Sequence, residues 1–527
     1  MIPLAVSYAS PSVLESGRDS QLLGLAANDH RPVRLVARVR NPLLFRFCLQ
    51  TLGSLVWSDD TWISDDEWTA FTLDPVVTVH PDRIMFEAFS RDQSAYGLLI
   101  IDRDQFETSG QVSCGTTNVD FTAWLYGALA EMRSSRTTTF RVEAGGIEVS
   151  TRQAGGRFEQ KVELPESWVR GFLNISAAMA FPGTRLRAEP VDMLAVIRYL
   201  QQHKAKTAPR ALRYEMIPGR EAEIVVEPFE TRFPLVGANH GYPKPRIIRT
   251  WGRRRLRLIE PLLPYAEHVE IYLKGRAMPS FYAVGLPGYT FVLGLSGWTA
   301  NSLTTGTGFA AGSSVSDSAV DRALMLLQQQ YHIDVETLCA AATMDKPTAM
   351  AALETLIRRG RAVFDVQARR VRYRELLAEP IDEAKIYPPD PRLVQVERWH
   401  REGAVHIRDT ILRKTTKTRQ FKLDGQWIQR QVDLRDRVLT GRVGEQEEVE
   451  VVLDDEGRII FGRCGCDHFV SYALSKGPCA HLMALERQSR RHLHDPSALK
   501  STANPISSLP NEGTEVLLDD NNEYDDE

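Results

Sequence analysis

The chain of 527 residues lacks most of what marks a secreted, membrane-bound or nucleotide-driven protein. Cysteine is scarce, six in all, and Cys48, Cys114 and Cys339 stand alone in sequence. That argues against a disulfide framework and for a reducing compartment. No run approaches the ~20 apolar residues of a membrane span. The opening "MIPLAVSYASPSVLESG" has neither the basic start nor the long apolar stretch of a signal peptide. A cytoplasmic protein with no membrane partner is therefore expected. The phosphate-cradling G-x-x-x-x-G-K-[ST] loop, a G-x-G-x-x-G turn after a strand and the H-E-x-x-H metalloprotease helix are all missing. The chain reads as a non-enzyme.

What is present is globular: 43% hydrophobic and 25% charged residues, in a length suited to several domains. The expected fold class is α+β multidomain. Residues 1–240 form a mixed α/β region of unassigned function, with strand-like runs such as "RPVRLVARV" and "YGLLIIDRD" and a meander from 137 to 164. In "DFTAWLYGALAEMRSS" the spacing predicts a helix capped by Asp120, with Phe121, Trp124, Leu125, Leu129 and Met132 inward. A second helix is predicted over "EPVDMLAVIRYLQQHK".

Residues 241–310 have a different texture, a basic strip followed by β-rich sequence. Seven positive charges and no acid fall between Lys244 and Arg257. As a strand, this stretch would put Arg253, Arg255 and Arg257 on one face. Such a strip suits phosphate, and it equally suits a solvated edge strand.

Residues 311–380 read as three helices and a β-hairpin: "SDSAVDRALMLLQQQY", "DVETLCAAATM", "DKPTAMAALETLIRRGRA" and "AVFDVQARRVRYREL". In pattern this resembles the winged helix-turn-helix family, which implies DNA contact. The third helix is poor in base-reading side chains, whereas Arg370, Arg372 and Arg374 recur at period two on the hairpin and could meet phosphates. A packing or protein-docking role is the other reading. A Pro-rich linker over 381–400 separates this module from the last domain.

Residues 401–500 are predicted as strands leading into a metal site. Eleven positive against five negative residues lie between 401 and 442, with Arg413, Lys414, Lys417 and Arg419 as candidate nucleic-acid contacts. The metal site is "CGCDHFVSYALSKGPCAH", residues 464–481. Cys464 and Cys466 would close a strand, and Cys479 and His481 would open a helix. Three thiolates and an imidazole match a closed, tetrahedral, structural Zn2+ site. His468 is a second imidazole within reach.

C-x-C, a gap, then C-x-H entering a helix resembles the SWIM zinc finger family, and "GPCAHLMAL" is very similar to that family's second half. The resemblance implies a ββα zinc module that binds nucleic acid or proteins. It also implies a chain of the bacterial kind found beside a MoxR-type AAA+ ATPase and a von Willebrand factor A protein, as an adaptor. DNA or RNA is the partner expected from the charge. Residues 501–527 form an acidic tail, expected to be disordered: eight acids and no base lie in 512–527, offsetting a body of about +4. The tail is either a solubilising segment or an internal mimic of nucleic acid.

Overall fold

Apolar runs between residues 76 and 295 assemble into a wide antiparallel sheet. In the computed structural model the described residues are 5–6, 11–28, 33–56, 75–90, 93–144, 162–163, 166–205, 210–275, 278–296, 315–377, 391–423, 426–453, 457, 459–472, 474 and 477–493, with the strands across 415–435 described in their backbone alone. The expected acidic tail and residues 145–161 of the expected meander lie outside them. The chain divides into two units, Met1–Tyr387 and Pro388–Glu527. The fold is mixed α/β and multidomain.

The first unit centres on an eight-stranded sheet, ordered Thr184–Ala188, His268–Leu273, Ser280–Leu286, Tyr289–Leu295, Ala95–Asp102, Arg83–Phe89, Val76–Val79 and Gly115–Asn118. Every residue of Ser280–Leu286 and Tyr289–Leu295 is buried. Strands covered on both faces need apolar side chains at every position, which is why these runs do not alternate. One face packs on the helix Glu166–Ala180, where Trp168, Phe172 and Met179 meet Tyr96, Leu98 and Ile100. The other packs on Pro42–Val56, whose Leu52 lies 3.0 Å from where a Cβ on Gly97 would stand. A five-stranded and a four-stranded sheet belong to the same unit.

Two expectations over residues 1–310 need correction. The basic strip is a 3-10 helix, Arg253–Tyr265, not a strand. Leu256, Ile259 and Leu262 recur every third residue, the period of that helix, and all three are buried. Pro261 and Pro264 have no N–H to give a sheet ladder. Arg253 is buried, and its guanidinium donates to the Ala211 and Glu227 carbonyls. The three arginines therefore share no exposed face. The predicted helix at 120–135 is also shorter: Thr122, not Asp120, caps Ala123–Ala128, and Trp124 is 62% exposed rather than packed. Asp120 instead accepts from the Ser12 N–H. The helix Pro190–Gln202 forms as predicted, burying Met193, Val196 and Ile197.

The elements predicted over 315–376 are all present: helices Asp317–Gln330, Val335–Ala342 and Lys346–Arg358, then strands Ala362–Asp365 and Arg370–Tyr373 paired as a hairpin. Asp334 and Asp345 cap the second and third helices by accepting from Thr337 and Thr348 N–H groups. This module is not a separate body, however. Its third helix buries Ala349, Ala352, Leu353, Leu356 and Ile357, and its core continues into Ala177 and Ala180 of Glu166–Ala180. The hairpin is covered on both sides, since Val371 joins the three-helix core while Val363 and Val366 join the core under the large sheet.

The hairpin arginines follow the same packing. Arg372 and Arg374 are 2% and 0% exposed. Arg372 bridges Asp365 at 2.7 Å and Asp82 at 2.9 Å. Arg374 pairs with Glu87 at 3.3 Å and donates to Ser176 Oγ at 2.9 Å. Only Arg370 remains at the surface, 3.9 Å from Asp334. Their partners are acids of the folded chain, not phosphates: Asp334 at a helix start, Asp365 on the hairpin, Asp82 in the turn before Arg83–Phe89 and Glu87 on that strand.

A buried histidine sits at the same junction. His80 is fully buried, its Nε2 lies 2.7 Å from the Tyr373 carbonyl, and burial followed by the Arg372 charge lowers its pKa to about 4. Asp82 and His332 are its other charged neighbours. The unfolded chain therefore binds the extra proton below the usual imidazole value of about 6.5, and the folded chain does not until about 4. The His80 contribution is complete above pH 6.5 and falls by about 1.4 kcal/mol per pH unit below it, levelling off near pH 4. Urea unfolding at pH 7, 6 and 5 should show this slope in the parent and a shallower one in His80→Gln.

The second unit is a four-stranded antiparallel sheet, Val405–Leu423, Gln426–Val443, Gln446–Leu453 and Ile459–Arg463, in sequence order. Helix Ala480–Leu493 covers it through Leu482 and Leu485. The expected linker is helical from Pro391: Pro391–Arg401 buries Val396 and lays Trp399 against the same core. Proline is well placed at a first helical position, where its missing N–H is not needed. Two glycines allow the helix and sheet to close. A Cβ on Gly462 would lie 2.7 Å from Leu482, and one on Gly441 would collide with the His406 carbonyl.

Candidate metal centre

Cys464 follows the strand Ile459–Arg463 directly, Cys466 precedes the short helix Asp467–Tyr472, Cys479 immediately precedes the helix Ala480–Leu493, and His481 lies in its first turn. The sheet edge and the helix start are thus the two walls of one site. Glu450 pairs with Arg463, and the contact of Leu482 with Gly462 holds the helix start over that strand end. The side-chain ligand atoms of Cys464, Cys466, Cys479 and His481 all lie within 4.8 Å of one another. Ligands about 2.3 Å from a tetrahedral ion stand about 3.8 Å apart, so the spacing fits a metal ion at their centre.

Burial and hydrogen bonding agree. Cys464 and Cys479 are 5% and 1% exposed, and Cys466 and His481 are partly buried. The His481 ring packs against Trp399 at 4.5 Å between centroids, and its Nδ1 is buried with no hydrogen-bond partner among the described residues. A buried ring nitrogen without a partner is costly unless something coordinates it. Hydrogen bonding from Cys464 lowers the Cys479 pKa to about 4, and the Leu482 N–H at the helix start acts in the same direction. The same Cys479 contact raises the pKa of Cys464. One thiolate held among thiol neighbours is the arrangement a divalent cation completes by displacing the remaining protons. His468 is not in the group. It faces Tyr472 at 5.4 Å.

The candidate nucleic-acid residues distribute unevenly. Arg253, Arg372 and Arg374 are buried in structural contacts, and Arg255 and Arg257 sit on the 3-10 helix. Arg413 is accessible and pairs with Asp436 at 2.8 Å, and Lys414 is exposed. Lys417 and Arg419 lie on the strand Val405–Leu423, where their side chains fall outside the described residues. Sequence reasoning missed Asp82, Glu87 and Asp365, the acids that engage the hairpin arginines. Asp82 and Arg372 are 290 positions apart, and no local pattern links them. It also missed Trp399, for which Val396 and Trp399 at helical spacing were the available signal.

Among the described residues no helix is long and apolar enough to cross a membrane. The chain matches no known family profile and no curated protein. Among solved structures it is similar to the proliferating cellular nuclear antigen of Entamoeba histolytica, at 13% identity and a TM-score of 0.33 over 50% of this chain and 98% of that one. A PCNA2–PCNA3 complex from Sulfolobus tokodaii gives 12% identity and a TM-score of 0.32 over 50% and 99%. Likeness at that level says nothing about function.

Proposed function

We propose that this chain is a non-enzymatic, zinc-stabilised protein whose C-terminal unit is a SWIM-type module that binds nucleic acid. The observation that carries the reading is the position of the Cys3His cluster at the root of a basic hairpin. Helix Ala480–Leu493, with Cys479 immediately before it and His481 in its first turn, packs on Leu439 and Gly441 at the base of that hairpin. An ion that fixes the helix start therefore fixes the hairpin's base. Zn2+ suits three thiolates and an imidazole, and with all four positions filled it has no opening for substrate, so its role is to fold the unit.

The winged-helix-like module adds little to such binding, because its third helix and two of its three hairpin arginines are used internally. That internal use favours a second reading for the first unit, as a protein-docking body, in keeping with an adaptor to a MoxR-type ATPase and a von Willebrand factor A protein. One measurement separates the readings. Purified full-length chain should carry one zinc and bind DNA or RNA at low salt, with affinity falling as salt rises. Less than one zinc per chain would sink the metal assignment, and zinc without nucleic-acid binding would leave the adaptor.

A further inference from the structure

The two longest strands among the described residues pair with each other from Val405↔Val443 to Leu423↔Gln426. Their neighbour Gln446–Leu453 pairs only as far out as Arg437. Beyond that point the hairpin continues as a two-stranded ribbon of about twelve residues per strand, roughly 40 Å long. No third strand lies beside this ribbon among the described residues, and its start is open, with Leu412 68% exposed. Residues 412–435 carry seven Lys or Arg and two Asp.

The register distributes that charge over both faces. Arg413, Lys417, and Arg419 opposite Arg430 share one face; Lys414 opposite Arg435, and Lys422 opposite Trp427, share the other. A ribbon that lay flat on a charged surface would need positive charge on one face only. Charge on both faces fits a slot with phosphates on two walls. The major groove of B-form DNA, about 12 Å wide, admits a two-stranded ribbon, whereas the deep, narrow groove of A-form RNA does not. Thr415, Thr416, Thr418, Gln420, Gln429 and Gln431 add hydroxyl and amide groups of the kind that meet base edges and phosphates. Single strands are favoured by aromatic platforms, and only Phe421 and Trp427 stand in this stretch.

We infer that the paired strands 412–423 and 426–435 form a basic β-ribbon that enters the groove of duplex DNA. This rests on the nucleic-acid reading of the C-terminal unit. The test uses full-length chain and a form ending at Lys500, which removes the acidic tail, with 24-base-pair duplex DNA, duplex RNA of equal length and single-stranded DNA, followed by anisotropy across salt. Duplex DNA should bind at least tenfold tighter than either alternative, with log affinity falling against log salt at a slope of about −4 to −6. A form with Asn-Gly in place of residues 417–432 keeps the Thr416↔Asp433 pair as its last register position. It should retain one zinc and lose at least 30-fold in duplex DNA affinity, and Lys417→Glu with Arg419→Glu should lose in the same direction.

Equal or tighter binding of duplex RNA or single-stranded DNA overturns the inference and leaves the nucleic-acid reading standing. Unchanged DNA affinity in the shortened, zinc-loaded form places the surface elsewhere and overturns it too. No nucleic-acid binding by either parent form overturns both.

Discussion

Cys479→Ser will release the metal and unfold the C-terminal unit while the first unit remains folded. Cys479 is 1% exposed and lies in the core formed by Val451, Leu482 and Leu485, so ligand and core are lost together. A structural zinc contributes on the order of 10 kcal/mol or more to a small module, which exceeds what this one-layer sheet with its covering helix can supply without it. Hydrogen exchange on the full chain should show protection lost at 436–453 and 480–490 and kept in the large sheet of the first unit. A chelator in excess should reproduce the effect in the parent. His481→Cys should retain one zinc, because a four-cysteine site is equally closed, whereas His481→Ala should not. His468→Ala should change nothing, since His468 stands outside the cluster. Cys479→Ser that holds one zinc with unchanged protection would refute the site.

Glu87→Gln will destabilise the first unit by about 3–5 kcal/mol, the usual cost of leaving a buried charge without its counter-ion. Glu87 and Arg374 are both 0% exposed, and Glu87 also accepts from the Tyr96 hydroxyl at 2.7 Å. Arg374→Met alone should cost a similar amount, because it strands the carboxylate. The double variant Glu87→Leu with Arg374→Met should cost much less than the sum, as a buried pair exchanged for apolar groups is often nearly neutral. Arg370→Ala is the contrast: its partner is 3.9 Å away, Arg370 is exposed and Asp334 partly so, and the loss should stay below about 1 kcal/mol. Guanidinium unfolding, with hydrogen exchange across 315–376, reads both. If Arg374→Met left stability unchanged, its burial against Glu87 would not be holding the hairpin to the sheet.

Local patterns were legible wherever chemistry is local. The three helices and hairpin over 315–376 follow from helical periodicity with a cap at Asp345 and from alternation at Phe364, Val366, Val371 and Tyr373. The four residues of the metal cluster follow from donor type and spacing, because thiolates at a strand end and a helix start have few other uses. In the basic strip the three-residue spacing of Leu256, Ile259 and Leu262, not the seven charges, decides the conformation, because burial of those side chains selects a 3-10 helix.

What the sequence by itself determined is therefore the set of elements and the donor atoms of one closed site, both of which depend on residues within a few turns of each other. Only the tertiary structure decided which positive charges face solvent. Arg374 and Lys414 look alike in sequence, but the first meets Glu87 in the core and the second stands exposed where the basic ribbon begins. The difference lies in desolvation: a guanidinium enters the core only where the folded chain brings a carboxylate to it, and no window around Arg374 contains Glu87.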